Sequence, residues 1–231
     1  MHRRNETTAS ASAPTSRPLL QQGLEATGLG LSSVLLTMLL MRLSRRVDGA
    51  GAAAIAGGAA AAGYMVADLV SGLVHWFCDR AFEEGTPLIG PLFIKPFREH
   101  HRDPFAMTQH GSLELLGNSA LGALPILAFA WWWTDALFLE ALIVAFGLGV
   151  IASNVFHAWA HAPRPPPVVA WLQARWLILP PAHHARHHRP GHDVAYCMTT
   201  GWMNRWTDGL GVFLGLERVL RALRVPMARA Q

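Results

Sequence analysis

Apolar residues along this chain fall into four long runs separated by polar stretches, and the lengths of those runs set the first expectation. From Leu24 to Met41 the chain is mostly apolar, with Glu25 near its start, and Arg42, Arg45 and Arg46 close it. At 1.5 Å per residue such a helix covers about 27 Å, enough to cross a bilayer core. After Asp48 an alanine- and glycine-rich run reaches Val74, interrupted by Asp68. Its small residues would let a second helix approach closely in lipid. Residues 76 to 114 are polar by comparison and hold Pro87, Pro91, Pro96 and Pro104, so they form a surface loop and not a regular span. A third run goes from about Leu115 to Trp133, where Trp131, Trp132 and Trp133 suit an interfacial aromatic belt. Asp135 marks a turn. The fourth runs from about Leu137 to Phe156 and is stopped by the prolines from Pro163 to Pro167.

Beyond these, Val168 to Leu179 is apolar but too short to span, which predicts a re-entrant or interfacial helix. An amphipathic stretch runs from Trp202 to Leu223. Residues 1–18 are polar, small and proline-bearing; they read as a disordered N-terminal head without a tripartite signal peptide, leaving 19–231 as one membrane domain. The fold class expected is all-α integral membrane, with about four transmembrane helices. Four crossings put the head, the 76–114 loop and everything after residue 157 on one side. That side carries 16 Lys and Arg against 3 in the turn after the first run, so the positive-inside tendency makes it cytoplasmic.

Charge and cysteine usage narrow the function. The net charge is +4, but the arginines are scattered and form no nucleic-acid stripe. Cys78 and Cys197 are too few for a disulfide framework and form no CxxC pair. Histidine is the unusual residue: there are 12, and all but His2 lie between His75 and His192, on the side expected to be cytoplasmic.

Their spacing is that of ligands. Asp68, Gly72, His75 and Asp79 fall within one arc of a helix, where a carboxylate can orient an imidazole or ligate beside it. The loop offers His100 and His101 between Glu99 and Asp103, then His110. At the end of the fourth run His157 and His161 are four apart, the spacing with which one helix grips one metal. His183-His184-Ala185-Arg186-His187-His188 gives several pairs at three and four, with His192 and Asp193 beyond. Eight or more neutral imidazoles with few carboxylates suit iron, zinc or copper and exceed what one ion accepts, so two metals are the economical reading. Of the acidic neighbours, Asp79 and Asp193 are expected behind the ligands, orienting them. His183 and His110 are read equally as ligands, as orienting groups or as structural residues. The chain has no HExxH, GxSxG, Walker loop or dinucleotide fingerprint. The histidines lie at helix ends, unlike transporter sites near the bilayer midplane. Breaking an unactivated C–H bond needs an oxidant stronger than any side chain, and a histidine-held metal pair at a lipid interface suits that task.

The segments DLVSGLVHWFCD, PFREHHRDP, MTQH, LELLGN, NVFHAWAH, LPPAHHARHH and HDVAYCMTTGWMN, in this order between Tyr64 and about Glu217, resemble the plasmanylethanolamine desaturase (Kua-type) lipid desaturase family. The resemblance covers about two thirds of the chain. It implies a membrane enzyme with two iron ions that forms the vinyl-ether double bond of plasmalogens. Dioxygen would be the co-substrate, and electrons would come from a cytochrome b5 or ferredoxin-like donor; a plant plastid branch desaturates an acyl chain of phosphatidylglycerol. By position it implies metal-binding roles for His75, His100, His101, His110, His157, His161, His183, His184, His187, His188 and His192, and it matches Asp79 and Asp103 as their neighbours. It implies no catalytic side chain beyond the metal centre. The sequence departs from the pattern at Gly111, where an acidic residue is expected, and at Ala158 and Ala160, where larger residues are expected.

The reading is therefore an oxygen-dependent lipid desaturase with a phospholipid substrate and no nucleic-acid partner. Its high Ala, Arg and Pro content points to a bacterial inner membrane. An acyl-lipid desaturase or hydroxylase of the same family is the rival within enzymes. A membrane metal-binding or stress-signalling protein whose histidines buffer zinc is the rival outside them.

Overall fold

The structure, a computed structural model, describes residues 18–228. The expected disordered head lies outside these residues but for Pro18, which precedes the first helix. Four long helices dominate: α1 (Leu19–Arg46), α2 (Ala50–Arg80), α4 (Ser112–Trp133) and α5 (Leu137–His161), each long and apolar enough to cross a membrane. Between α2 and α4 the chain forms a π-helical turn (Gly90–Ile94), a short helix α3 (Lys95–Arg102) and a 3-10 turn (Ala106–Gln109). After α5 come α6 (Pro167–Ala174), α7 (Pro181–His184), α8 (Asn204–Gly209) and α9 (Val212–Ala222). Extended pairing among the described residues is limited to one isolated bridge, Ala81 with Met227, so the chain is an all-α membrane protein.

In the bundle α1 packs on α4, α2 on α5, and α4 on α5. Small residues make these approaches close, as the second run led one to expect. A Cβ at Gly63 of α2 would collide with the backbone carbonyl of Leu142 on α5, and one at Gly149 of α5 with Ala67 and Tyr64 on α2. Dispersion contacts between closely packed backbones are the main attraction available in lipid, where burial of apolar surface yields little. Ser32 adds one polar tie, its hydroxyl donating to Ala120 O at 2.8 Å.

One end of the bundle is locked by charge. Glu140 is fully buried and accepts from Arg42 Nε at 2.9 Å and Arg46 Nη1 at 3.0 Å. The same arginines donate to the carbonyls of Ala130, Trp131 and Asp135 at the α4–α5 turn. Arg42 and Arg46, at the end of α1, are thus paired where they stand.

At the other end the helices outrun their apolar stretches. α2 continues past Val74 to Arg80, and α5 past Phe156 to His161. Their last turns are the histidine-bearing ones, and at 31 and 25 residues both helices exceed the about 20 that a hydrocarbon core needs. α9 docks there through Phe213, which packs on Trp76 of α2 and Tyr196. The tail expected as one amphipathic stretch is two helices. Gly211 adopts φ 61, a left-handed conformation that glycine takes without a Cβ clash, and it separates α8 from α9.

Candidate metal centre

α2 brings His75 and Asp79 to the end of the bundle one turn apart, α3 brings His100 and His101, α5 brings His157 and His161, and the turns through and after α7 bring His184, His187, His188 and His192. α3 is fixed to α2 by Arg98, a buried cation. Its Nε donates to Cys78 O at 3.2 Å and its Nη2 to Ala81 O and Phe82 O at 3.0 and 2.8 Å. These carbonyls end α2 and lack helical partners, so one guanidinium both caps that helix and sets the position of His100, two residues on.

Three overlapping groups of ring nitrogens result, each with its ligand atoms within 4.8 Å of one another: His100, His157, His161, His184 and His188; His75, His100, His101 and His187; and His101, His188 and His192. In the first, His184 Nε2 lies 2.8 Å from His157 Nε2 and 3.0 Å from both His161 Nε2 and His188 Nε2. One nitrogen shares one proton with one partner, so three such approaches do not form a hydrogen-bond network. They match ligands at neighbouring corners of one ion, which lie about 3 Å apart when each metal–nitrogen bond is about 2.1 Å. His100 Nε2 is buried with no hydrogen-bond partner, an arrangement that disfavours the apo state and suits a ligand. The donor set therefore fits a metal.

Proton placement agrees. His75 Nδ1 lies 3.1 Å from Tyr196 O and His187 Nδ1 lies 2.8 Å from Val194 O. A carbonyl only accepts, so both rings carry their proton on Nδ1 and keep the Nε2 lone pair free. Burial holds the His100 and His184 imidazolium forms well below the usual histidine range, with neighbouring imidazoles adding to it, and His188 is lowered to about 3 for the same reasons. At neutral pH these rings are neutral and able to ligate.

Asp79 stands closer to the metal groups than a supporting role requires. Its Oδ2 is 3.0 Å from His101 Nε2 and 3.3 Å from both His75 Nε2 and His187 Nε2, which makes it a candidate ligand beside the second group. Asp103 is exposed and accepts from Phe105 N and Ala106 N, shaping the 3-10 turn. Asp193 is exposed as well. His110 is exposed, 3.5 Å from Glu114, and His183 turns to Asn204; both lie outside the nitrogen groups.

Asp68, grouped by spacing with His75, does not touch it. Its Oδ1 accepts from the N–H groups of Thr199, Thr200 and Gly201 at 2.7 to 3.0 Å and its Oδ2 from Met203 N–H at 2.9 Å. The carboxylate thus straps residues 199–203 onto α2, and the same strap carries the Tyr196 carbonyl that orients His75. Asn204 closes it, accepting from Cys197 N at 2.8 Å and donating to Cys197 O at 3.0 Å. Neither Arg98 nor this strap was read from the sequence. Backbone carbonyls and N–H groups leave no mark in residue type, and the one available signal was an acidic residue inside an apolar run.

Comparison with known proteins agrees with this geometry. The lipid desaturase domain family matches residues 64–231. Plasmanylethanolamine desaturase of Myxococcus xanthus is 41% identical over 166 residues, covering 68% of this chain and 58% of that protein. Plasmanylethanolamine desaturase 1 of Mus musculus is 36% identical over 179 residues, 73% of this chain and 66% of that protein. Fatty acid desaturase 4-like 2, chloroplastic, of Arabidopsis thaliana is 36% identical over 166 residues, 69% of this chain and 57% of that protein. The chain spans about three fifths of the length of these relatives. No solved structure matches it. With the family match covering both His75 and His192 and every nitrogen of the three groups between them, this chain belongs to the lipid desaturase family.

Proposed function

We propose that this protein is an oxygen-dependent lipid desaturase with two iron ions, acting on the 1-O-alkyl chain of plasmanylethanolamine to give the vinyl ether of plasmalogen. The observation that carries the reading is the convergence of nine imidazoles into overlapping groups at one end of four membrane-spanning helices. His100, His157, His161, His184 and His188 would hold one ion. His75, His101 and His187, with Asp79, would hold the other, His100 lying between the two sets. Bound there, the irons would supply with dioxygen the oxidant that an unactivated C–H bond requires. In balance, the chain gives up two hydrogens, an electron donor such as cytochrome b5 or a ferredoxin-like protein gives two electrons, two protons enter, and dioxygen leaves as two waters.

The protein's own part is to keep the rings neutral and aimed. Burial does the first, and the carbonyls of Tyr196 and Val194 do the second. Strapped to α2 by Asp68, the segment with Tyr196 limits ring rotation, as a metal centre of fixed geometry needs. His110, His183, Asp103 and Asp193 have supporting roles in this reading. The histidine end faces the cytoplasm of a bacterial inner membrane; the 16 Lys and Arg on its side, against 3 in the turn after the first run, support that side. The 36% identity to the chloroplastic desaturase favours acyl-chain desaturation as the second reading.

The test is lipid mass spectrometry with acid hydrolysis on cells that contain alkyl-ether lipids but no plasmalogens, expressing this chain or its His157→Ala variant. Acid-labile vinyl ethers with the parent chain only are expected. Folded, iron-loaded protein without vinyl ether would sink the assignment and turn the search to acyl chains or hydroxylation.

A further inference from the structure

The string from His183 to His188 builds two walls at once. His184, His187 and His188 belong to the metal groups, whereas His183 and Arg186 line a cavity of about 490 Å³ on the other side of the same turns. The local hydrogen bonds are helical, His184 N to Pro180 O and Ala185 N to Pro181 O, so positions three apart share a face. Trp176, Gly201, Trp202, Arg205 and Asp208 complete the cavity wall.

Its electrostatics favour an anion. Arg186 is 41% exposed and meets Asp208 Oδ2 at 3.4 Å, long for a charge-assisted bond, while Asp208 Oδ1 is taken by Ala195 N–H. Arg205 is exposed and has no carboxylate partner among the described residues. The charged groups lining the cavity are thus two guanidiniums and one carboxylate that is already engaged. His183 adds a neutral donor. Asn204 Oδ1 is fixed by Cys197 N–H, so its amide nitrogen donates to His183 Nε2 at 3.0 Å, and the ring proton resides on Nδ1.

The walls also have the chemistry of a lipid interface. Trp202 meets Tyr64 of α2 edge-on at 6.1 Å, while His183 and Arg186 of the same wall adjoin His184 and His187 of the metal groups. Trp176 packs on His183 at 5.1 Å and holds φ 58, a conformation a bulky residue adopts only when its surroundings impose it. Trp206 and Leu210, exposed beside the cavity on and after α8, continue the apolar rim.

We propose that this cavity binds the phosphate of a phospholipid, with Arg186 and Arg205 as the anion-binding groups and Trp176 and Trp202 as walls against its glycerol. The proposal rests on the desaturase reading. A vinyl ether forms at the carbons joined to glycerol, so only the glycerol backbone separates them from the phosphate, and a chain reacting at the metal groups must leave its phosphate beside them.

The experiment is calorimetric titration of the iron-loaded full chain in detergent with dihexanoyl phosphatidylethanolamine, with dihexanoylglycerol and with inorganic phosphate. The phospholipid is expected to bind about tenfold or more tightly than the diglyceride, and the double variant Arg186→Gln/Arg205→Gln to lose that preference with iron content and melting temperature retained. Arg205→Gln alone, which touches no histidine, loses part of it. Equal affinities in the parent chain, or an unchanged preference in either variant, would overturn the proposal. Tighter binding of inorganic phosphate than of the phospholipid overturns the lipid source in favour of free phosphate. An arginine-dependent preference in a chain that makes no vinyl ether upholds this site while removing the reaction.

Discussion

At one end of the bundle Glu140 is buried and each of its oxygens takes a guanidinium N–H, from Arg42 and Arg46, which also complete the carbonyls of the α4–α5 turn. At the other end His184 Nε2 faces three further ring nitrogens within 3.0 Å, and His100 Nε2 has no hydrogen-bond partner. Both ends bury polar atoms. Where every donor meets an acceptor, the group belongs to the fold. Where ring nitrogens meet ring nitrogens, the arrangement suits a cation.

Paired substitutions break the comparison most sharply. His184→Ala removes the nitrogen central to the first group, and we expect bound iron to fall below half of the parent value and vinyl-ether formation to drop by more than about 100-fold, with the melting temperature of the metal-free protein unchanged or raised. Glu140→Gln should do the reverse. It leaves two arginines at a buried site and costs about 3 kcal/mol, at the lower end for a broken buried pair because both arginines reach solvent, while iron per folded molecule is retained. Metal analysis beside thermal melts reads both. Loss of iron in Glu140→Gln would show that the two ends are not separable.

Asp68 joins the two kinds of burial. It is a satisfied carboxylate in a membrane helix, yet what it holds is the strap that orients His75. Asp68→Asn keeps the shape but turns one acceptor oxygen into an N–H₂ facing Met203 N–H or the three N–H groups of residues 199–201. Faster amide hydrogen exchange across 196–204 is expected, with a loss of activity of about tenfold and most of the iron retained. Unchanged exchange would remove the strap from the argument.

These cases also mark what the sequence made legible. Four apolar runs are a direct record of bilayer thickness, and all four became helices. The i, i+4 pairs His157/His161 and His75/Asp79 are a record of helical pitch, so each pair appeared on one face as spacing required. The overshoot of α2 and α5 past their apolar runs is invisible to hydropathy, which reports the membrane and not the helix, and the four-residue spacing of these pairs is what carried it. Nothing in spacing says that His184 meets His157 and His161, or that His100 lies between two groups: those are tertiary contacts across the loop and the tail. The split of the tail at Gly211 was missed because the apolar pattern runs on through it, although Gly209 and Gly211 stood there as breakers.

A pH dependence of the metal-free protein sharpens the comparison further, because the buried rings of the histidine end contribute to it. His100 and His184 are held neutral by burial, and His188 is lowered to about 3, whereas in the unfolded chain each titrates near the ordinary value of about 6.5. Above that value neither state binds these protons, so the folded state keeps its full stability. As pH falls from about 6.5 toward 3 the unfolded chain takes up protons that the folded chain refuses, and stability declines throughout that window. Loading with iron should move the decline to lower pH, since bound metal occupies the same lone pairs and favours the folded state further. Melts of both forms across this range test it. A metal-free protein whose melting temperature is flat between pH 7 and 4 would mean that its rings accept protons while folded, and so that they are not kept neutral and aimed in advance of the metal.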